Sequence, residues 1–125
     1  MKIAATIARF LLGLEFAVFG LNGFLNFMHM PPPTGEAGQF FGVLFVSHYT
    51  VPIFALQLIA GLLLLANRFV PLALTILAPI LVNILIFHCL MAPEGLPMAL
   101  VTVLLWAIVF YSKRSAFAGI FAARG

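Results

Sequence analysis

Residues 71–91 have the sequence PLALTILAPILVNILIFHCLM, which contains no Asp, Glu, Lys or Arg. With a rise of about 1.5 Å per residue, a helix of this length covers the roughly 30 Å hydrocarbon core of a bilayer. The proline at its first position is compatible with a helix start, because the first amides of a helix have no intrahelical acceptor. The stretch therefore predicts a membrane-spanning helix.

The composition of the whole chain supports a membrane protein. The 125 residues are 65% hydrophobic and only 7% charged, and the mean hydropathy is +1.24. A soluble domain could not cover its surface with so few charges, so we expect the lipid bilayer to be the main partner. No second block of different composition is present, and residues 1–125 are predicted to be one domain. The basic residues form no continuous face, which argues against nucleic-acid binding.

Three further apolar segments flank the first one, separated by proline and glycine clusters. The sequence PPPTG at 31–35 follows the N-terminal apolar segment, and PEG at 93–95 follows the segment at 71–91. Both clusters are typical of helix breaks. Residues 39–46 are apolar but short, so we expect an interfacial or re-entrant segment there. We predict an all-α integral membrane four-helix bundle with spans over residues 4–28, 49–66, 71–91 and 97–111.

The charged residues predict the orientation of this bundle. Lys and Arg near membrane ends are retained in the cytoplasm, and in a four-span topology the six cations fall on one side while two glutamates fall on the other. The cations are Lys2, Arg9, Arg68, Lys113, Arg114 and Arg124, and the glutamates are Glu36 and Glu94. Both termini are thus expected in the cytoplasm. The first apolar segment lacks a small-x-small cleavage site, so we expect it to be retained as a helix.

Polar side chains inside the predicted spans are the candidates for ligand binding, because each must face the bundle interior, water or a partner. Glu15, Asn22 and Asn26 follow each other at intervals of seven and four residues, which places them on one side of the first helix. Gln57, Asn83 and His88 lie in the second and third spans. Together the six residues predict a polar cluster that opens outward. The alternative is that the amides simply hold the helices together, with glycines allowing close approach.

Pro79 interrupts the third span and removes the hydrogen bond to the Thr75 carbonyl, for which Gln57 is a candidate donor.

The histidines lack metal-ligand spacing within any one helix, so we predict no metal site. Cys89 is the one cysteine of the chain, which excludes an internal disulfide and a CxxC redox pair. We assign no catalytic residue.

Four segments resemble the DoxX-like family of small membrane proteins. ARFLLG at 8–13 and FGLNGF at 19–24 are similar to the opening helix of that family. QLIAGLLLL at 57–65 resembles its second helix, and NRFVPLAL at 67–74, with Pro79, Asn83 and His88 beyond it, resembles its third. Many relatives carry glutamate where this chain has Gln57. The resemblance implies a four-helix membrane bundle linked to thiosulfate:quinone oxidoreduction or to membrane oxidoreductase assemblies.

The leading functional hypothesis is an accessory subunit of a redox-linked complex in the bacterial cytoplasmic (inner) membrane. A chain this small has little surface outside the membrane on which to build an enzyme site, so we do not expect it to be an enzyme by itself. A redox protein would be its partner. A quinone is a candidate cofactor, with Gln57, Asn83 or His88 donating to its carbonyls, Glu15 handling a proton and phenylalanines packing the ring.

Two alternatives from other functional classes remain open. The first is a small proton-linked transporter that acts as a homo-oligomer, in which Glu15 is the switch and Asn22, Asn26 and His88 line the outward path. The second is a membrane scaffold or assembly factor that binds no ligand, in which the polar residues only stabilise the bundle.

Overall fold

A computed structural model describes residues 2–26, 33–120 and 122–123 of the chain, and these residues form helices joined by short turns, with no strand among them. The five α-helices are α1 (Lys2–Leu25), α2 (Gly35–Val46), α3 (Thr50–Ala66), α4 (Val70–Leu90) and α5 (Leu96–Ser112). Short 3-10 turns lie at Pro93–Gly95 and Arg114–Phe117. The all-helical class predicted from the sequence is confirmed.

The long helices follow the predicted spans closely. The predicted spans at 4–28, 49–66, 71–91 and 97–111 correspond to α1, α3, α4 and α5. Within the described residues, α1 ends at Leu25, and Asn26 takes the left-handed conformation with φ 51°. The last two residues of the first predicted span, 27 and 28, lie outside the described residues, as do Pro31, Pro32 and Arg124.

Three helical segments of the described chain are long and apolar enough to cross a membrane: α1, α4, and α5 together with its preceding 3-10 turn. The count rises to four if α2 and α3 are taken as one broken span. Those two helices meet at 90°, and His48 in the turn between them has a φ of 62°. The short segment expected at 39–46 is thus a helix that begins earlier, at Gly35, and runs perpendicular to α3.

Aromatic rings attach α2 to the end of the bundle. The Phe41 and Phe87 ring centroids lie 5.0 Å apart in an edge arrangement, and Phe40 lies 5.8 Å from the same Phe87 ring. Phe45 faces Phe54 of α3 at 6.4 Å. Offset and edge-to-face aromatic contacts at these distances are favourable. The phenylalanines of α2 therefore hold it across the end of the bundle where α3 begins and α4 ends.

Helices α1 and α3 make the closest contact of the bundle, because glycines bring the two backbones together. A Cβ atom added at Gly20 would lie 2.6 Å from the backbone nitrogen of Leu58. One added at Gly61 would collide with the backbone nitrogen of Ala17 and lie 2.8 Å from the carbonyl oxygen of Gly13. Small residues at helix interfaces allow this kind of close backbone packing. The two helices run antiparallel, so the start of α1 lies beside the end of α3.

A cluster of aliphatic side chains fills the space between the long helices. The largest fully buried side chains are Leu12, Leu64, Leu74, Leu77 and Val109. Trp106 of α5 packs against this cluster, and its indole N–H donates to the Leu74 carbonyl of α4 at 3.0 Å. Many large apolar side chains point outward instead, among them Ile3 at 77% and Leu104 at 59% exposure. The helices are thus apolar on their outer faces as well as in the core.

Gly61→Ala tests the α1–α3 contact. The added methyl group meets backbone atoms of α1, which cannot rotate away, and overpacking of this kind costs about 1–3 kcal/mol. We expect a lower melting temperature in thermal unfolding of the detergent-solubilised protein, followed by circular dichroism.

The matched control is Gly42→Ala in α2, where nothing lies within 4 Å of the added Cβ. Alanine has the higher helix propensity, so this change should leave the melting temperature unchanged or raise it. Equal losses for both variants would contradict the assigned role of Gly61.

Candidate functional site

Glu15 lies on α1, is half-buried, and contacts α5. Its carboxylate oxygen Oε2 accepts a hydrogen bond of 2.7 Å from the hydroxyl of Thr102, a residue that is only 3% exposed. The same hydroxyl lies 3.1 Å from the carbonyl of Met98, one turn earlier on α5. A threonine hydroxyl has one proton to donate and can also accept. The carboxyl, the hydroxyl and the carbonyl therefore form a short chain of hydrogen-bonding groups.

This series of hydrogen-bonding groups can bind the Glu15 side chain whether its carboxyl is ionised or protonated. When the carboxylate is ionised, the Thr102 hydroxyl donates to it. When the carboxyl carries a proton, it donates to the hydroxyl, which then turns its own proton to the Met98 carbonyl. No buried group loses its partner in either arrangement, so the site can take up or release a proton without breaking the α1–α5 contact.

Arg9 also lies on α1, yet it is bonded to α3 and not to Glu15. Its guanidinium donates to the Leu64 carbonyl and lies 3.5 Å from the Leu65 carbonyl. The last carbonyls of a helix have no intrahelical donor, and the helix dipole places partial negative charge there. Arg9 therefore caps the end of α3 with a charged donor.

Gln57 lies on α3 and is 8% exposed. Within the described residues its side-chain amide forms no hydrogen bond, and in particular none to the Thr75 carbonyl for which the sequence makes it a candidate donor. Thr75 occupies an exposed position on α4, where its hydroxyl donates to the Pro71 carbonyl at 2.8 Å. The two residues do not meet because one lies in the interior and the other on the outer face.

Asn83 and His88 are both bonded to the backbone of their own helix, α4. Asn83 is exposed, and its side-chain amide donates to the Pro79 carbonyl at 2.9 Å. The Nδ1–H of His88 donates to the Ile84 carbonyl at 2.8 Å. A Cβ added at Gly95 would lie 2.6 Å from His88 Nε2, so the imidazole packs under the turn between α4 and α5. These bonds join neither residue to Glu15 or Gln57.

Asn22 and Asn26 lie toward the end of α1. Asn22 is half-buried and Asn26 is exposed. The backbone N–H of Asn26 donates to the Asn22 carbonyl at 2.7 Å, which closes the last turn of the helix. Asparagine tolerates the left-handed conformation seen at Asn26 better than most residues, so this position serves to end α1.

Thr102 is the site residue that sequence reasoning missed. Its position in the sequence could have identified it, because Thr102 is the one small polar residue in the middle of the apolar segment 96–108. A lone hydroxyl at such depth usually bonds across a helix interface. Among the described residues, no group of three or more His, Cys, Asp or Glu side chains is placed to hold a metal ion.

Comparisons with known proteins return no match: no family model, no curated protein and no solved structure matches the chain. The site must therefore be interpreted from its own geometry.

Thr102→Val tests the link between Glu15 and α5. Valine keeps the shape of threonine but removes the hydroxyl, which leaves the half-buried carboxyl without its donor. The loss should be about 1–3 kcal/mol of stability, measured by chemical or thermal unfolding in detergent.

Thr75→Val is the matched control, since Thr75 is exposed and its hydroxyl bonds only to its own helix. We expect a change within about 0.5 kcal/mol there. If Thr102→Val were as mild as Thr75→Val, the Glu15–Thr102 bond would not stabilise the bundle.

Proposed function

We propose that the chain is an integral membrane protein of the bacterial inner membrane, with both termini in the cytoplasm. The support comes from its surface: large apolar side chains are exposed along the long helices, for example Leu62 at 52% and Val82 at 54%. Exposed apolar side chains in this number favour contact with lipid and are disfavoured in water.

The charges support this orientation. Lys2, Arg9, Arg68, Lys113 and Arg114 lie at the end where α1 begins and α5 ends, whereas Glu36 and Glu94 lie at the opposite end, beside α2 and the 3-10 turn before α5. By the positive-inside rule the cationic end faces the cytoplasm. The helix α2, held perpendicular to α3, would then lie along the outer membrane–water interface.

Cysteine labelling tests this topology. In a Cys89→Ala background, Ser47→Cys in the α2–α3 turn and Ser115→Cys after α5 both occupy exposed positions at opposite ends. We expect a membrane-impermeant maleimide to label Ser47→Cys in spheroplasts, and to label Ser115→Cys only after the membrane is disrupted. The reverse pattern would invert the orientation, and equal labelling at both sites would argue against membrane insertion.

Within the membrane we propose a non-catalytic, accessory role in a redox-linked complex, as the DoxX-like resemblance implies. The observation that carries it is that these polar residues bond within the bundle: Asn83 and His88 bond to their own helix, and Arg9 of α1 bonds to the end of α3. Such residues stabilise the bundle and leave its apolar helix faces as the surface available to a partner protein.

A quinone remains the candidate cofactor of that complex. Of the three side chains expected to donate to its carbonyls, Gln57 is the one whose amide forms no hydrogen bond within the described residues, so Gln57 would be the donor. A side-chain amide has two N–H donors, and those of Gln57 would be available to a quinone carbonyl.

Native mass spectrometry of the protein, released gently from its own membrane, tests the accessory role. We expect a redox protein bound to the chain and, in the quinone version, a retained quinone that Gln57→Ala releases. Asn83→Ala is the matched control and should leave the quinone bound, because the Asn83 side-chain amide already donates a hydrogen bond to the Pro79 carbonyl. A complex with neither quinone nor protein partner would contradict the accessory role.

A second candidate function, a proton-linked transporter, is favoured by one specific observation. The Glu15–Thr102–Met98 chain accommodates both protonation states of the carboxyl, as a proton switch inside a membrane requires. Four short helices are few for alternating access, so this function predicts a homo-oligomer. A homo-oligomer without a redox partner or quinone in the same spectra would support it.

A further inference from the structure

A cavity of about 680 Å³ opens at the cationic end of the bundle. It lies between the start of α1 and the end of α5, next to the turn that joins α3 to α4. Four basic side chains line it: Lys2, Arg9, Lys113 and Arg114. Its volume is within the range of about 300–1,000 Å³ that is typical of small-ligand sites.

The positive charge of this cavity is not balanced by any acidic side chain. The chain contains three acidic residues, Glu15, Glu36 and Glu94, and none of them lines the cavity. Glu36 and Glu94 lie at the other end of the bundle, and Glu15 is bonded to Thr102. Four cations gathered around one cavity repel each other, so an anion from outside the chain would stabilise them.

The two arginines are held in place by bonds that leave donors unused. Arg9 donates from one terminal nitrogen to the Leu64 carbonyl. Arg114 donates from one terminal nitrogen to the Tyr111 carbonyl at 2.7 Å and stacks over the Tyr111 ring at 4.0 Å. A guanidinium has five N–H donors, so each arginine is fixed in orientation while other N–H groups remain for a ligand. Prepositioned guanidinium groups are well suited to phosphate oxygens.

The neutral lining adds further polar groups. The Asn67 side chain lies at the cavity, at the left-handed turn position between α3 and α4, with φ 56°. Thr6 and Ser112 also line the cavity, and their hydroxyls donate to backbone carbonyls of their own helices, which leaves the hydroxyl oxygens able to accept. The cavity is therefore polar and cationic on several sides, and it is formed mainly by the start of α1 and the end of α5.

We propose that this cavity binds a phosphate-bearing anion, supplied by the headgroup of an anionic phospholipid of the cytoplasmic leaflet. The lipid source rests on the proposed membrane placement, whereas the affinity of the cavity for phosphate does not depend on it. Basic pockets at the cytoplasmic ends of membrane helices suit anionic headgroups, and each Lys or Arg near the surface contributes substantially to the attraction. Neither a redox partner nor transport is needed for this binding.

Lipid titration followed by native mass spectrometry tests the proposal, with the purified full chain in a neutral detergent and phosphatidylglycerol or phosphatidylcholine as the added lipid. We expect phosphatidylglycerol to bind more tightly than phosphatidylcholine. Lys113→Gln should weaken phosphatidylglycerol binding about fivefold, which corresponds to the loss of one cationic contact. Lys2→Gln provides a second variant at the other wall of the cavity and should act similarly.

Arg68→Gln is the matched control. Arg68 lies at the same end of the bundle and its replacement removes the same charge, but it does not line the cavity. Its phosphatidylglycerol affinity should stay within about twofold of the unmodified protein. Thermal unfolding of all three variants establishes that they are folded. Arg9 is left unchanged because it caps α3.

Competition with inorganic pyrophosphate separates the two sources of phosphate. If pyrophosphate displaces phosphatidylglycerol only at concentrations well above that of the lipid, the cavity binds phosphate and the headgroup is supported as the ligand. If pyrophosphate binds the unmodified protein more tightly than phosphatidylglycerol does, and Lys113→Gln and Lys2→Gln weaken that binding, a soluble phosphate compound is the better ligand and the lipid source is overturned. If Lys113→Gln and Arg68→Gln weakened phosphatidylglycerol binding equally, the effect would be general charge attraction and the proposed site would be overturned. Equal binding of the two lipids would also overturn it.

Discussion

The close approach of the α1 and α3 backbones is the contact on which the rest of the structure depends. Gly13, Gly20 and Gly61 leave no room for side chains between these helices, so their relative position and rotation are fixed within a narrow range. That rotation places Arg9 against the last carbonyls of α3. It also turns Glu15, on a different side of α1, toward α5, where it meets Thr102. One packing contact thus determines the partners of both charged residues of α1 beyond its first turn.

The polar residues of the chain fall into two groups with different consequences. Asn83 and His88 bond to carbonyls one turn earlier in α4, which satisfies them locally and demands nothing of neighbouring helices. Arg9, Glu15 and Trp106 bond across helix interfaces. Because an unpaired polar group is most costly in a nonpolar environment, the hydrogen bonds of the second group specify how the helices pair, whereas those of the first group do not.

The two ends of the bundle differ in chemistry. At one end, the phenylalanines of α2 contact Phe87 and Phe54 and cover the helix ends with apolar rings. At the other end, basic side chains surround an open cavity with no acidic neighbour. One end combines aromatic rings with the exposed Glu36 and Glu94, and the other end is cationic. This difference suits the two unlike interfaces of a membrane, since one carries the excess of anionic lipid. The proposed orientation and the proposed headgroup site both rest on this asymmetry.

The sequence by itself determined the helical class and the boundaries of α3, α4 and α5, because long apolar runs and the prolines and glycines between them are local signals. It did not give the start of α2, which was expected at residue 39 and lies at Gly35. Starts near Thr50, Val70 and Leu96 were predicted to within about two residues. The sequence did not determine which side of α4 faces inward. That helix is apolar on every side, so the spacing of its hydrophobic residues does not distinguish an inner face from an outer one. Only tertiary packing placed Asn83 on the outer face, brought Thr102 to Glu15 and joined the start of α1 to the end of α5 around one cavity. These outcomes depend on helix rotation and on contacts between residues distant in sequence, and both are set by the shapes of the packed surfaces.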